Sequence, residues 1–336
     1  MPTSTPAEDF LDKLIDDLAS DEIWIRIDAI SKIAKLDTPE AYAALLKALE
    51  DSEPQVRAKA IQTIGRLKRK DAVGRIARHL RDEDKLVRRR AALTLGQMSK
   101  EAKPLLLDLL ENGSKVEKKY AAIALGAAGG REAYSHLIKE LNSKDSEVRG
   151  GAVEGLGLLG TRKAVEPVVR LLKDISPDVR RRAAEVLGAL DDDRAVAPLI
   201  EALKDPDKNV RWRAVFSLGR YSESGSRRAE EAIMDTVEDE DWNVRRMAVL
   251  ELRHGDKETF SVLIKALRDR SKFVRRYAAY ALGRLGVLKA APMLAEALND
   301  PAPEVRDQAG WALKKMARRY GYTSWEELVK IRGVSD

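Results

Sequence analysis

The sequence predicts an all-α protein, a right-handed α–α superhelix built from about ten similar two-helix repeats. One pattern, apolar-Arg-x-x-Ala-x-x-x-Leu-Gly, recurs along the chain at steps of 30 to 34 residues. Within each copy the apolar residues are spaced four apart, as on one face of a helix. The composition is 44% hydrophobic and 35% charged with only 5% aromatic residues, which suits many small cores beneath a charged surface.

Each copy of the pattern begins the second helix of a repeat, and we number positions within a repeat from its first apolar residue, position 0. A preceding helix often carries proline in its first turn, where the missing N–H costs least. Neither helix can bury its apolar stripe alone, so stability must come from stacking on neighbouring repeats. The position-0 residues are Ile25, Val56, Val87, Glu117, Val148, Val179, Val210, Val244, Val274 and Val305.

The repeats are predicted to form one continuous domain over residues 1–336, because such an array has no internal boundary. An N-terminal capping helix is expected at about residues 5–18, and the ten repeats end near residue 316. A closing helix is expected at about residues 324–332. Capping-box patterns, Thr-Pro-Ala-Glu and Ser-Trp-Glu-Glu, support the two end helices.

The repeats resemble short HEAT-like repeats of the kind found in phycobilisome lyases, over nearly the whole chain. The resemblance implies a ladder between repeats, formed by an Asp in the turn and the Arg at position +1. The matching acids are Asp51, Asp82, Asp174, Asp205, Asp239, Asp269 and Asp300. The matching bases are Arg57, Arg88, Arg149, Arg180, Arg211, Arg245, Arg275 and Arg306. A weaker ladder is expected where repeats one, four and five depart from this pattern, with Ser20, Asn112, Glu117, Lys118 and Ser143.

Composition also excludes several classes of protein. No window approaches eighteen apolar residues, and the chain starts with neither a basic leader nor an apolar run, so no membrane span or secretion signal is expected. Cysteine is absent, which removes disulfides, thiolate metal sites and cysteine nucleophiles. We therefore expect a cytoplasmic protein and a monomer. Low Gln and Asn contents beside abundant Lys, Arg and Glu fit a thermophile.

No catalytic, cofactor or metal motif is found, so a non-enzymatic protein without a cofactor is predicted. The GLGLLG run at 155–160 matches G-x-G-x-x-G, but its glycines end a helix, and Gly157 occupies the +9 position that is glycine in most repeats. His79, His136 and His254 lie in different repeats without metal-ligand spacing. HEAT-like deoxyhypusine hydroxylases hold iron on His-Glu dipeptides, which this sequence lacks.

Two enzymatic alternatives, a lyase and an alkylpurine DNA glycosylase, stay open through resemblance of the scaffold alone. Glu154 and Glu185 occupy position +6 of consecutive repeats, where paired carboxylates could act in acid–base chemistry. Arg181 and Arg182 precede Glu185 at helical spacing, so a solvated ion pair on the helix face is the simpler interpretation. No active-site residue of the glycosylases can be matched here.

The resemblance to HEAT-like solenoids implies that the second helices line the concave face, and helical spacing places positions +2, +3, +6 and +10 away from the core. At +2 and +3 no acid occurs between repeats two and nine, which indicates that the excess charge of +6 lies along one groove. From repeat seven onward position +6 becomes apolar or aromatic. The predicted groove residues are Arg89, Arg90, Lys119, Arg181, Arg182, Trp212, Arg213, Phe216, Arg246, Arg276, Tyr277, Tyr280, Arg284 and Trp311.

The predicted function is a non-enzymatic protein-binding scaffold whose partner is an acidic or amphipathic protein segment. Aromatic and arginine side chains dominate binding hot spots, and aromatic rings also stack on exposed bases. Nucleic acid held by backbone contacts and stacking is therefore the alternative partner. Two competing interpretations remain: outward Lys and Arg serve solubility, and Trp212 and Phe216 merely pack on each other and on the next repeat.

Overall fold

The computed structural model of the protein describes residues 6–36, 38–255 and 257–330. Its secondary structure consists of α-helices and short 3-10 turns, and no strand occurs in these ranges. The all-α prediction is confirmed.

Ten helix pairs follow one another in the described residues, and every position-0 residue lies in the second helix of a pair, so the predicted repeat register is confirmed. The first helices are α1 (Pro6–Asp17), α3 (Pro39–Lys47), α5 (Ala72–Arg78), α7 (Ser99–Asn112), α9 (Arg131–Glu140), α11 (Val165–Arg170), α13 (Val196–Ala202), α15 (Arg227–Asp235), α17 (Lys257–Ala266) and α19 (Ala291–Glu296). The second helices are α2 (Ile23–Ile33), α4 (Pro54–Arg66), α6 (Lys85–Gln97), α8 (Lys115–Ala128), α10 (Ser146–Leu159), α12 (Pro177–Leu190), α14 (Lys208–Glu223), α16 (Trp242–Glu251), α18 (Lys272–Leu285) and α20 (Pro303–Arg319). A short helix, α21 (Trp325–Lys330), follows the last pair.

The chain groups into two compact units, Met1–Pro167 and Val168–Asp336. We refer to them as the N-terminal unit and the C-terminal unit. The predicted capping helices correspond to α1 and α21, whereas residues 5 and 331–332, at the outer ends of those predictions, lie outside the described residues. One continuous domain stays a prediction.

The core of each repeat is formed by positions 0, +4 and +8 of the second helix. Val179, Ala183 and Leu187 show the pattern, since each is at most 1% exposed. Position +9 is usually glycine because the +7 side chain of the next repeat lies against it. A Cβ atom on Gly65, for example, would come 2.0 Å from Cγ2 of Thr94. These glycines therefore serve close helix packing.

The arginine at position +1 joins its repeat to the turn of the next one. Nε and Nη2 of Arg57 donate to the Asp82 carboxylate at 2.9 and 2.8 Å, and Nη1 donates to the carbonyls of Asp51 and Ser52. The Asp82 carboxylate also accepts a hydrogen bond from the N–H of Asp84. The Arg–Asp pairs of this kind include Arg26–Asp51, Arg57–Asp82, Arg180–Asp205, Arg211–Asp239, Arg245–Asp269 and Arg275–Asp300.

The ladder changes in repeats three to five of the N-terminal unit. Nε of Arg88 donates to the Tyr120 hydroxyl, 3.3 Å away, where other repeats offer an aspartate. In repeat four the buried Glu117 carboxylate accepts the N–H of Ser114 at the start of α8 and pairs with Arg81. Burial alone would raise the pKa of Glu117, but the bonds from Arg81 and Ser114 hold that pKa below its ordinary value.

Glycine packing joins repeats four and five. The +1 residue of repeat four is Lys118, whose Nζ donates to the carbonyl of Glu111 in its own repeat. A Cβ atom on Gly126 of α8 would come 2.1 Å from the carbonyl oxygen of Gly155, and one on Gly151 of α10 would come 2.6 Å from the α8 backbone. The two helices therefore meet backbone to backbone.

Candidate binding surface on repeats seven to ten

Aromatic side chains cover the outward face of α14, α16, α18 and α20, all within the C-terminal unit. The rings lie at positions +2, +3 and +6 and, one turn earlier, at positions −2 and −1, whereas Met247 at +3 of repeat eight is buried. Residues four apart lie on the same side of a helix, so these positions form one strip on each helix. The residues of this aromatic surface are Trp212, Phe216, Trp242, Phe273, Tyr277, Tyr280 and Trp311.

Trp212 and Phe216 stack on each other along α14. Their ring centroids are 6.0 Å apart and their planes differ by 5°. The guanidinium of Arg213 lies over both rings, 4.8 Å from the Trp212 centroid and 5.4 Å from the Phe216 centroid. Phe216 is 37% exposed and Trp212 is half-buried. The two rings therefore do pack on each other, and they also present apolar area to solvent.

This arrangement leaves two polar atoms in unfavourable surroundings. Nε1 of Trp212 and Nε of Arg213 are buried and have no hydrogen-bond partner in the described part of the chain. Burial lowers the pKa of Arg213, the Glu185 carboxylate 3.7 Å away raises it, and the charge of Arg181 lowers it. An unsatisfied buried polar atom costs about 1–3 kcal/mol. The two atoms therefore carry a local desolvation cost.

Ring contacts also join three consecutive second helices. Phe273 of α18 stacks on Trp242 of α16, with centroids 4.9 Å apart. Tyr280 of α18 stacks on Trp311 of α20, with centroids 5.4 Å apart. Tyr277 lies between these contacts along α18 and meets Tyr280 edge to face at 6.5 Å. The rings thus form two contacting groups, Trp242 with Phe273 and Tyr277 with Tyr280 and Trp311.

Trp242 and Phe273 are binding candidates that the sequence prediction omits. Each is 42% exposed. They precede position 0 by two and one residues, one helical turn before the predicted +2 and +3 positions. Extending the predicted face by one turn would identify both from the sequence, because that turn lies on the same side of the helix.

Arginines lie among the rings of repeats eight and nine. The guanidinium of Arg246 lies 5.1 Å from the Tyr277 centroid and is oriented by two hydrogen bonds to Oδ1 of Asn243. Arg276 approaches the same ring at 6.0 Å. A cleft of about 500 Å³ beside it is lined by Arg276, Tyr280, Glu304, Asp307, Gln308 and Trp311.

Two predicted groove cations of the N-terminal unit, Arg89 and Lys119, have acidic partners. Arg89 pairs with Glu154, and Lys119 pairs with Glu147. These carboxylates come from positions +6 and −1, whereas the prediction of a basic groove considered positions +2 and +3. Arg90, beside Arg89, is half-buried. The role of Arg89, Arg90 and Lys119 in binding stays a prediction.

Arg181 and Arg182 lie on α12, at the start of the C-terminal unit. Arg181 pairs with Asp178 at 3.6 Å and with Glu185 at 3.5 Å, so the interpretation of Glu185 as one member of a helix-face ion pair is confirmed. Arg182 is half-buried. Repeat six thus carries paired charges where repeat seven carries Trp212 and Phe216.

The acidic and histidine side chains of the described residues are dispersed along the chain. The described residues contain no group of three or more His, Asp or Glu side chains placed to hold a metal ion. His79 lies 3.4 Å from the ladder carboxylate of Asp82, and His254 lies 3.9 Å from Glu223. No helix in the described ranges is long and apolar enough to cross a membrane.

Consecutive helix pairs of one repeated pattern define an α-solenoid repeat protein, and here the second helices of repeats seven to ten expose aromatic rings. The family model for HEAT repeats matches residues 11–74, 43–127, 132–206, 196–254 and 249–314. The chain therefore belongs to the HEAT-repeat family, which confirms the resemblance seen in its sequence. A search of curated protein sequences found no match.

Solved structures with a similar fold include importin-β chains. An importin-β structure determined in an ammonium sulfate condition has a TM-score of 0.56 at 16% identity, over 93% of this chain and 52% of that one. Yeast importin-β, Kap95p, has a TM-score of 0.55 at 15% identity, over 92% and 49%. A structure concerning Kap95p binding to RanGDP gives 0.53 at 16% identity, over 92% and 48%. This chain spans about half the length of these importin-β chains, and the likeness shows a shared fold.

Proposed function

We propose that the protein is a non-enzymatic scaffold that binds an acidic or amphipathic segment of a partner protein on the aromatic surface of repeats seven to ten. The observation that carries the proposal is the set of stacked, part-exposed rings on four consecutive second helices, with arginines over the ring faces. Aromatic and arginine side chains supply most of the binding energy in protein interfaces. Contiguous exposed apolar area of this kind marks interaction sites.

The charges beside the rings favour an acidic partner. Arg246 and Arg276 lie over Tyr277, and Nζ of Lys315 lies 5.0 Å from the Trp311 centroid. Carboxylates can approach these cations while apolar side chains cover the rings. An amphipathic segment offers both groups at helical spacing.

The comparison with known folds also supports a protein partner. Kap95p, one of the chains with a similar fold, binds RanGDP, and HEAT-repeat solenoids commonly act as protein-binding scaffolds.

Selection from a displayed library of random peptides on the full chain tests the proposal. Affinities of the selected peptides are then measured by fluorescence anisotropy for the wild type and for W212R/F216E, which copies Arg181 and Glu185 of repeat six. We expect the double change to weaken binding by about 2 kcal/mol or more, roughly 30-fold. The melting temperature should change by only a few degrees, because repeat six folds with these polar residues.

Trp24→Gln is the matched control. Trp24 is 66% exposed in repeat one, and Gln55 holds the same position, −1, in repeat two. This change should leave peptide affinity unaltered. A large fall in melting temperature for W212R/F216E would assign the rings to packing, and unchanged affinity would overturn the proposed surface. A single-stranded oligonucleotide that outcompetes every peptide, with strong salt dependence, would make nucleic acid the partner.

A further inference from the structure

The C-terminal ends of α18 and α20 form a basic corner at the edge of the aromatic surface, defined by Arg284, Lys315 and Arg319. Arg284 and Lys315 both occupy position +10, one turn after Tyr280 and Trp311, so they continue the same strip on their helices. The Lys315 ammonium is in contact with the Trp311 ring. Arg319 lies one further turn along α20. The corner is therefore continuous with the rings.

The end of α18 holds Arg319 in place. Nη1 of Arg319 donates to the carbonyl of Leu285 at 3.1 Å. Gly286 follows with φ 66°, and a Cβ atom there would come 2.4 Å from that Nη1 atom. The Tyr320 hydroxyl donates to the carbonyl of Gly286 at 2.7 Å. A left-handed glycine without a side chain thus lets the arginine lie across the helix end.

The three cations of the corner repel one another. Burial lowers the pKa of Lys315, and the charges of Arg284 and Arg319 lower that pKa further. Within the described ranges, no ion pair joins a carboxylate to Arg284, Lys315 or Arg319. An anion bound among the three would relieve the repulsion.

The corner differs from the common placing of single cations at helix ends. A lone Lys or Arg in the last turn is stabilised by the helix dipole, and the Arg319 bond to Leu285 is a contact of that type. Bringing three cations together works against that gain. Position +10 is Arg220, His254, Arg284 and Lys315 in repeats seven to ten, but Gln97, Ala127 and Leu158 in repeats three to five. Position +10 is also basic in repeats one and two, as Lys35 and Arg66, so the combination with the rings is what distinguishes repeats seven to ten.

We propose that the basic corner binds a dianionic phosphate group carried by a phosphorylated side chain of the partner segment. The inference rests on the proposed function, because the corner borders the surface on which that segment lies. A phosphoryl group carries about −1.5 to −2 charges and three acceptor oxygens, whereas a carboxylate carries one charge. Two guanidinium groups and one ammonium match the larger anion, and guanidinium groups bind phosphate oxygens in pairs.

Titration of the full chain with inorganic phosphate, N-acetyl-phosphoserine amide and acetate tests the site, with the indole N–H signal of Trp311 as the NMR readout. We expect both phosphates to shift this signal at concentrations where acetate does not. Arg284→Gln, Lys315→Met and Arg319→Gln should each weaken phosphate binding roughly tenfold, because each removes one charged donor. Circular dichroism checks that each variant is folded.

Arg66→Gln is the matched control, since Arg66 is an exposed +10 residue of the N-terminal unit and Gln97 holds that position one repeat later. It should bind phosphate as the wild type does. Acetate binding equal to phosphate binding, or unchanged phosphate affinity in both Arg284→Gln and Lys315→Met, would overturn the site.

A peptide selected on the aromatic surface, prepared with serine and with phosphoserine, separates this inference from the proposed function. Tighter binding of the phosphorylated form, lost in Lys315→Met, supports the inference. Binding that W212R/F216E abolishes but neither phosphorylation nor Lys315→Met changes would reject the phosphate site and retain the proposed function. Phosphate binding without any peptide binding would reject the partner segment as the source of the phosphate.

Discussion

Repeats three to five of the N-terminal unit and repeats seven to ten of the C-terminal unit share one backbone pattern and present opposite kinds of outward face. In the first region two outward cations have acidic partners, Arg89 with Glu154 and Lys119 with Glu147. In the second region the same strips carry stacked rings, and cations lie over them. Paired charges stay hydrated and partly neutralise each other, whereas rings leave apolar area exposed beside positive charge. Binding is therefore expected on repeats seven to ten, where apolar rings remain exposed to solvent.

The interiors of the two regions differ as well. Repeats seven to nine are each joined to the next repeat by a buried Arg–Asp pair, as in Arg245 with Asp269. Repeats four and five instead meet through Gly126 and Gly155 at backbone contact. Repeats seven to ten, whose outward face exposes apolar rings, are thus joined by an unbroken series of Arg–Asp pairs. Interior pairing and outward chemistry occupy different sides of the same helix, so each can change without the other.

The largest stability effect is expected on breaking a ladder pair. Arg245→Met would leave the Asp269 carboxylate buried without its partner, and removing one member of a buried pair costs about 3–5 kcal/mol. The Arg245 side chain is only 4% exposed. Lys118→Met, at the same +1 position of repeat four, should change stability by about 0.5 kcal/mol or less. Urea unfolding followed by circular dichroism compares the two, and equal losses would remove the distinction between the regions.

Glycine packing in the N-terminal unit predicts the next largest effect. Gly126→Ala would place a methyl group against the backbone of α10, and such overpacking costs about 1–3 kcal/mol. Gly74→Ala is the matched control, because nothing lies within 4 Å of a Cβ atom there, in the exposed part of α5. Alanine should stabilise that helix by up to about 1 kcal/mol. A stabilising Gly126→Ala would show that α8 and α10 do not need close contact.

A smaller and pH-dependent effect is expected from Glu251, at position +7 of repeat eight. Its side chain lies against Gly219 of repeat seven, just as Ser217, at position +7 of repeat seven, lies against Gly188 of repeat six. Burial raises the pKa of Glu251, Arg253 lowers it and Glu223 raises it, with a net rise. The folded state therefore binds the proton more tightly than the unfolded state, so stability falls as pH rises from about 4.3, the ordinary glutamate value, through the raised one.

Glu251→Ser removes the buried carboxylate and supplies the residue type that repeat seven has at this position. There the Ser217 hydroxyl donates to the carbonyl of Ala184 at 2.8 Å. The variant should match the wild type at low pH and gain on it as pH rises towards 7. Urea midpoints across this range measure the difference, and parallel curves would contradict the assignment.

The repeat register and the ladder are predictable from the sequence because both depend on fixed positions in adjacent repeats, such as Arg57 and Asp82. The pairing of Arg89 with Glu154 is not, since these residues are 65 positions apart in the chain and belong to repeats three and five. Comparing positions +2 and +3 alone therefore overstates the free charge of the N-terminal unit. Phe273 is missed for a different reason, because the predicted face begins one turn too late.

Hydroxyl-radical footprinting of the full chain, with and without a selected peptide, tests most directly whether binding belongs to the aromatic surface. We expect reduced oxidation of Phe216, Tyr280 and Trp311 in the complex, and unchanged oxidation of Trp24, an exposed ring of the other unit. Protection confined to the second helices of repeats three to five, with the rings of repeats seven to ten still fully oxidised, would contradict this expectation.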